Sequence, residues 1–224
     1  IIKKFYPTIK NKTVLDIGCN DGTLLSLFKK QGAKTYGVEP TGAYLDAKNK
    51  NHYVFNKYFD LRTANQINRK LKNIDIITFT NVFAHIDDLR NLLSSLKIIS
   101  KENTLIIIEN HYLGEVIKKN QFDTFYHEHP RTYSLKSFVE ISKLLNTNLI
   151  DYKFVKRYNG NIRVYLKKNH KIYKSNQTLN KSLNFERSII SKIKNFQKKI
   201  DKFKINKKNL LKKYVSEIGP IPAK

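Results

Sequence analysis

Residues 14–22 read VLDIGCNDG, and this stretch decides the fold. The apolar run that ends at Ile17 predicts a buried strand, and Gly18 and Gly22 predict a tight turn directly after it. Residues 23–31 then carry apolar side chains at the spacing of a helix. A strand that leads through a glycine turn into a helix is typical of α/β proteins that bind a ligand at the carboxyl ends of their strands.

Strand and helix patterns alternate along the chain after this stretch. Strands are predicted at residues 35–39, 54–55, 74–80 and 104–109, and helices from about residue 43 and at residues 61–71, 87–99 and 134–145. This alternation predicts a mostly parallel sheet with helices on both faces. Two β-rich segments, 149–155 and 162–166, flank turn residues and predict an antiparallel edge hairpin. We therefore expect seven strands, followed by a long C-terminal helix over residues 179–214.

The composition is strongly basic, with 43 Lys and Arg against 18 Asp and Glu and a formal net charge of +25. Such a charge is found in proteins that bind nucleic acids or anionic membranes. Lysine, asparagine and isoleucine are all abundant and the basic residues are spread along the chain, which favours a compositional bias. We expect no nucleic acid and no membrane as partner.

The apolar and cysteine content excludes other classes of protein. No apolar run approaches the ~20 residues that span a bilayer, and residues 1–4 are not followed by the apolar segment of a signal peptide. The single cysteine, Cys19, excludes a disulfide framework and a cysteine-rich zinc site. It is interpreted as a small buried loop residue. We expect a cytoplasmic protein without a metal.

Three ligands compete for the glycine turn. A dinucleotide site favours G-x-G-x-x-G, whereas this turn is G-x-x-x-G, and the terminal Gly-Lys-Ser/Thr of a phosphate-binding loop is absent. The third ligand is S-adenosyl-L-methionine, because DIGCNDG at residues 16–22 closely resembles motif I of class I methyltransferases. Glu39, about twenty residues on, is placed to accept ribose hydroxyl protons. The predicted cofactor contacts are Asp16, Gly18, Asn20, Asp21, Gly22, Glu39, Pro40, Asn81 and Phe83.

A dense group of titratable residues, FDTFYHEH, occupies residues 122–129. A neutral histidine can accept a proton near pH 7, and Glu128 can orient it. Tyr126 can donate to a developing oxyanion. A metal site of the form H-x-H lacks a third ligand at recognisable spacing, and ordinary structural histidines remain an alternative. His52, His111 and His170 are interpreted as structural, and His111 least firmly, because it follows strand 104–109 at the ligand edge.

Five motifs in order resemble the nucleotide-sugar C-methyltransferases of deoxysugar pathways. They are DIGCNDG (16–22), GVEP (37–40), NVFAHI (81–86), DTFYHEH (123–129) and GNIRVY (160–165), and the resemblance covers roughly residues 13–166. It implies a Rossmann-like class I methyltransferase fold, S-adenosyl-L-methionine as cofactor, and C-methylation of a ketosugar linked to a nucleoside diphosphate, a small-molecule substrate. No metal is needed, because the ketone already acidifies the neighbouring carbon.

The resemblance also implies roles for single residues. His129 resembles the general base, Tyr126 and His85 the groups that hold the enolate oxygen, and Glu128 a polar supporter of the site. Acceptor contacts are predicted for His127, Arg131, Tyr133, Asn159 and Arg163. Family members carry an N-terminal cysteine-rich zinc region that this chain lacks.

The expected organisation is a methyltransferase domain at residues 1–170, a helical connector at 171–214 and the start of a truncated C-terminal Rossmann-like domain at 215–224. An O- or N-methyltransferase acting on a glycan or small molecule remains an alternative. A nucleic-acid methyltransferase is a further one, although Asn81 is not followed by the N-P-P-Y-type loop of that class. A non-catalytic remnant is the last. The sequence does not indicate an oligomeric state.

Overall fold

The protein is described by a computed structural model over residues 2–125, 128–169 and 176–218. Within these ranges seven strands form one sheet. The strands are β1 (Thr13–Ile17), β2 (Lys34–Val38), β3 (Tyr53–Phe55), β4 (Ile76–Thr80), β5 (Leu105–His111), β6 (Asn148–Val155) and β7 (Asn161–Lys167).

The strand order in the sheet is β3-β2-β1-β4-β5-β7-β6. Strands β1 to β5 run parallel to their neighbours, whereas β7 is antiparallel to both β5 and β6. The predicted mostly parallel sheet with an antiparallel edge hairpin is confirmed. Because β1, β4 and β5 are adjacent and parallel, the segments that follow them meet at one edge of the sheet, where such folds bind ligands.

Helices pack on both faces of the sheet. They are α1 (Ile2–Phe5), α2 (Thr23–Lys29), α3 (Tyr44–Asn49), α4 (Leu61–Lys70), α5 (Leu89–Ile99), α6 (Leu113–Lys119), α7 (Leu135–Leu144), α8 (Asn176–Ile190) and α9 (Ile193–Ile218). The side chains of Asp88 and Ser134 cap α5 and α7, where each accepts a hydrogen bond from a backbone N–H three residues on.

The alternation of side chains along β1 separates two cores. Leu15 and Ile17 belong to the larger core, which is shared with α4, α5 and α7. Val14 belongs to the smaller core beneath α2 and α3. Asp16 has the same orientation as Val14, because successive residues of a strand point to opposite faces. A carboxyl group is therefore directed to the α2 side of the sheet.

Two elements differ from the sequence-based expectation. Helix α6 was not predicted, since it is short and contains Gly114. It is stabilised by tertiary packing of Val116 and Ile117 against Ile189 and Phe196. The lysine-rich segment forms two helices, α8 and α9, with a turn between them.

Helix α8 is attached to the domain by a buried carboxylate. Glu186 accepts hydrogen bonds from the backbone N–H groups of Leu135 and Lys136 at the start of α7. Helix α9 leaves Phe203, Leu210 and Leu211 largely exposed. None of the helices in the described ranges is both long and apolar enough to cross a membrane. The domain boundaries at residues 170 and 214 stay predictions.

Candidate functional site

The glycine bend after β1 is held by β2 and lies against the loop after β4. The backbone N–H groups of Gly18 and Cys19 donate to the carbonyl oxygen of Val38 at 2.7 and 3.1 Å. Gly18 has a φ of 71°, in the left-handed region that favours glycine. A Cβ atom at this position would lie 2.3 Å from Cγ2 of Val82. Backbone conformation and the contact between the two loops therefore both require glycine here.

Glu39 follows β2 and closes the bend from the other side. Its carboxylate is buried, with 6% of the residue exposed. Oε2 accepts from the backbone N–H of Asn20 at 3.0 Å, and Oε1 accepts from the N–H and hydroxyl of Thr41 at 2.9 and 2.6 Å. Each carboxylate oxygen has two lone pairs. Three of the four acceptor sites are used within the protein, so one remains, on Oε2, for a hydroxyl of a ligand.

A cavity of about 650 Å³ opens beside this bend. Small-molecule sites have volumes of this order. The predicted acceptor contact Arg163 lines it. Six of the predicted cofactor contacts also line it: Asp16, Gly18, Asn20, Asp21, Glu39 and Asn81. The predicted contacts Gly22 and Pro40 lie beside the cavity without lining it. Gly22 packs against Ala47 and His52 behind the bend.

Asp16 is a buried acid on the wall of this cavity, with 3% of the residue exposed. The hydroxyl of Thr78 on β4 donates to its Oδ1 at 2.6 Å. Burial is the main cause that raises the pKa of Asp16 to about 7. The hydrogen bond from Thr78 lowers this pKa, and the charge of Glu39 raises it further. Asp16 therefore gains and loses its proton near neutral pH.

A polar network joins the cavity to the loop after β4. Glu109, near the end of β5, accepts from Nε of Arg163 at 2.7 Å and from Nδ2 of Asn161 at 3.1 Å. The same Nδ2 donates to Oδ1 of Asn81 at 2.9 Å. Asn81 has a φ of 56°. Strands β5 and β7 therefore hold this residue in its left-handed conformation, and Glu109 neutralises much of the charge of Arg163.

Two predicted ligand contacts are core residues. Phe83 is fully buried, and its ring packs edge-on against Phe79 and Tyr133, with ring centroids 5.4 and 5.2 Å away. Tyr133 is also buried and stacks on Phe138. Neither residue lines the cavity. The contacts predicted for Phe83 with the cofactor and for Tyr133 with the acceptor stay predictions. The short turn of helix after β4 directs Phe83 into the larger core, where removal from water stabilises aromatic rings.

Arg131 is bound by the protein itself. Its guanidinium donates to the backbone carbonyls of Ile86, at 3.1 Å, and of Asp87. These bonds fix the loop that carries His85. These bonds give Arg131 a structural role in this loop, and its predicted contact with the acceptor stays a prediction.

His85 and His129 come together at the carboxyl edge of the sheet, with ring centroids 4.6 Å apart. Nδ1 of His85 lies 2.7 Å from the carbonyl oxygen of Glu128, and Nδ1 of His129 lies 3.0 Å from that of Thr124. A carbonyl oxygen can only accept a hydrogen bond, so each Nδ1 carries a proton in the neutral ring. Nε2 is then the basic atom of both imidazoles.

His111, interpreted from the sequence as structural, joins these two rings. Its centroid lies 5.5 Å from that of His129 and 5.8 Å from that of Tyr158. Burial, and then the charge of His129, lowers the pKa of His111, while Asp123 opposes the shift and His85 adds to it. We name His85, His111 and His129 the histidine cluster. The signal in the sequence was the place of His111 directly after a predicted strand at the ligand edge.

The cavity and the histidine cluster adjoin each other. Asn81 and Val82 line the cavity, and His85 follows three residues later in the same loop. Tyr158, in the turn between β6 and β7, also lines the cavity while its ring contacts His111. The arrangement can therefore hold a small molecule in the cavity, next to imidazoles that can accept or deliver a proton.

Several predicted site residues lie outside the described part of the molecule. Tyr126 and His127 fall in the gap between residues 125 and 128, and His170 falls in the gap that follows residue 169. The side chain of Asn159 is not described either. Glu128 is exposed, and its backbone carbonyl contacts His85. The roles predicted for these residues stay predictions.

His52 has the structural role that the sequence indicates. The residue is buried, its Nε2 lies 2.9 Å from the hydroxyl of Ser26, and its Nδ1 lies 2.8 Å from that of Thr35. Burial lowers the pKa of His52, and the charges of Lys29 and Lys50 act in the same direction. This imidazole supports the bend from behind and does not line the cavity.

Comparisons with known proteins show a family and a fold for this chain. A family profile described as "Methyltransferase domain" matches residues 1–151. The C-methyltransferase NovU from Streptomyces niveus is 27% identical over 153 residues, which cover 68% of this chain and 36% of that protein. The chain thus spans just over a third of the length of the curated relative that it matches.

Two solved structures share the fold. A SAM-dependent methyltransferase from Archaeoglobus fulgidus superposes with a TM-score of 0.60 at 18% identity, covering 75% of this chain and 91% of that one. Magnesium protoporphyrin IX methyltransferase (ChlM) from Synechocystis PCC 6803, solved with bound SAH, gives a TM-score of 0.56 at 15% identity and covers 74% and 78%.

Proposed function

The chain belongs to the methyltransferase domain family, within the class I enzymes whose cofactor is S-adenosyl-L-methionine, and we propose that it methylates a carbon atom of a nucleotide-linked ketosugar. The observation that carries this proposal is the contact between the cavity at the glycine bend and the histidine cluster. A carbon acceptor needs a base beside the donor, and His129 is the candidate.

The residues that line the cavity suit this cofactor. Gly18 and Asn20 bring backbone close to the cavity, and Glu39 presents a buried carboxylate whose Oε2 has one acceptor site left for a ribose hydroxyl. Asp16 and Asp21 add acidic groups that suit a cationic ligand. When bound, the cofactor supplies an electrophilic methyl group on a positively charged sulfur. We propose that these residues hold it.

Proton abstraction is the task that we assign to His129. Its Nδ1–H is directed at the carbonyl oxygen of Thr124, so Nε2 can accept the proton from the carbon beside the ketone. The electron pair of that C–H bond then moves towards the ketone oxygen, which becomes an enolate oxygen. The enolate carbon is the nucleophile that receives the methyl group.

His85 is proposed to stabilise the enolate oxygen. Because its Nδ1 contacts the carbonyl of Glu128, His85 can donate from Nε2 only in its protonated form. The ring centroids of His85 and His129 lie 4.6 Å apart, so the group proposed to hold the enolate oxygen is adjacent to the proposed base. Tyr126 keeps the role of holding the enolate oxygen with His85, and Glu128 that of a polar supporter of the site, as the resemblance implies.

The relative NovU supports methyl transfer to carbon, and its printed name gives no acceptor. The acceptor class thus depends on the motif resemblance and on the need of a carbon nucleophile for a base. An O- or N-methyltransferase that acts on a glycan or small molecule could use the same histidine. The position of the transferred methyl group distinguishes the two functions.

The test uses ¹³C-methyl-labelled S-adenosyl-L-methionine with a panel of nucleotide-linked ketosugars. We expect a product that gains one labelled methyl group by mass spectrometry, with a one-bond carbon–carbon coupling to the sugar in its NMR spectrum. A labelled methyl group on oxygen or nitrogen would replace the proposal with the alternative. Transfer to none of the ketosugars would overturn the acceptor class.

A further inference from the structure

Tyr158 stands apart from the other residues with left-handed backbone. Within the described ranges, eight residues other than glycine have a positive φ, and seven of them are asparagines, which tolerate this conformation. The asparagines are Asn11, Asn20, Asn51, Asn81, Asn120, Asn146 and Asn169. The eighth residue is Tyr158, with a φ of 49°. A bulky aromatic residue is a genuine outlier at such a value.

The turn that contains Tyr158 is fixed by its surroundings. The N–H of Gly160 donates to the carbonyl of Arg157 at 3.0 Å, and the N–H of Tyr112 donates to the carbonyl of Gly160 at 3.1 Å. A Cβ atom on Gly160 would lie 2.6 Å from Cβ of Glu115 on α6. The fold thus imposes the left-handed conformation on position 158, and the chain carries a tyrosine where asparagine would cost less.

Core packing does not explain the tyrosine, because 55% of the residue is exposed. The residue lines the cavity. Its ring contacts the ring of His111 edge-on and lies beneath the guanidinium of Arg157, whose carbon is 5.0 Å from the ring centroid. Strain that persists at one position beside a functional site is evidence for a task of the side chain.

We propose that Tyr158 is an acceptor-binding residue whose ring packs against the sugar ring and holds the reacting carbon between the cavity and His129. This inference rests on the proposed function. An aromatic ring at this junction orients an acceptor at low entropic cost, and misorientation by about 1 Å can cost about 10²-fold in rate. The proposal assigns the contact with the sugar to the ring of Tyr158 and gives the hydroxyl no part in it.

The test replaces Tyr158 with the residue that the chain uses at its other left-handed positions. We expect Tyr158→Asn to raise the midpoint of thermal unfolding by about 1–3 °C, because strain is relieved. The same variant should raise KM for the acceptor about tenfold, while Kd for the cofactor stays within about twofold. Tyr158→Phe should keep KM within about threefold of the unaltered chain, because the ring remains.

The matched control is the reverse exchange, Asn146→Tyr, at an exposed position just after α7 with a φ of 53°. It should lower the unfolding midpoint by about 1–3 °C without a change in KM. A lower midpoint for Tyr158→Asn would show a structural role and overturn the inference. So would an unchanged KM in an otherwise active variant. Absence of turnover by the unaltered chain overturns the proposed function first, and the inference with it.

Discussion

The two halves of the site are built in different ways. The donor half is the part that we propose to bind the methyl donor, and it is formed by the bend at residues 18–22 and by Glu39. It is held by backbone hydrogen bonds between adjacent parallel strands. The acceptor half is the part that we propose to bind the methyl acceptor, and it is formed by the histidine cluster and Tyr158. It is held by ring contacts between four separate segments of the chain. The donor half thus depends on local backbone geometry, and the acceptor half on side chains that only tertiary packing brings together.

The largest expected effect comes from breaking the acceptor half alone. His129→Gln removes the proposed base but keeps a polar side chain, and we expect kcat to fall about 10²- to 10⁴-fold. Kd for S-adenosyl-L-methionine, measured by calorimetry, should stay unchanged, because His129 does not line the cavity. Turnover at a near-normal rate would show that another group takes the proton.

The next effect concerns Asp16, the buried acid on β1 just before the bend. Asp16 has a pKa of about 7 in the folded protein and an ordinary value of 3.8. The folded state therefore keeps a proton that the unfolded state releases, so the contribution of Asp16 to stability is full below pH 4 and is lost as the pH rises through 7.

Asp16→Asn, which cannot ionise, should remove this loss. Between pH 4 and pH 8, the free energy of unfolding of the variant should gain roughly 3–4 kcal/mol relative to the unaltered chain. Urea titrations at the two pH values measure the difference. A constant difference between variant and unaltered chain would mean that the carboxyl is ionised throughout this range.

The close approach of the two loops gives the third prediction. Gly18→Ala places a Cβ atom 2.3 Å from Cγ2 of Val82 at a φ of 71°. We expect Kd for the cofactor to rise about 10²-fold, because strain of about 1–3 kcal/mol distorts the bend. Gly42→Ala is the control, since a Cβ atom there meets nothing within 4 Å. Equal affinities of the two variants would contradict this account of the bend.

The smallest of these effects concerns Glu39, the buried carboxylate that closes the bend. Glu39→Gln keeps the shape of the side chain and removes its charge, so Kd for the cofactor should rise about tenfold. Glu140→Gln, at an exposed position on α7, should leave affinity unchanged. If Glu39→Gln binds as tightly as the unaltered chain, Glu39 serves only to hold Asn20 and Thr41.

Most of the fold and part of the site could be predicted from the sequence. The strands and helices around the bend follow from apolar periodicity and glycine position, and six predicted contacts do line the cavity. The sequence did not decide that Phe83 and Tyr133 are core residues, and the reason is the same for both. Each aromatic residue stands near polar ones in the sequence, and only the path of the chain after β4 and before α7 decides that these rings enter the core. The same applies to α6, which forms because other helices cover it.

The sequence by itself determined the donor half, because its turn, its neighbouring strand and its acid lie within about 25 residues and obey local backbone rules. Tertiary structure alone decided that His85, His111, His129 and Tyr158 share one place. Their separation along the chain carries no local signal, and their meeting depends on which strands are adjacent in the sheet. The strained backbone of Tyr158 is likewise visible only once β5, β7 and α6 have fixed the turn between them.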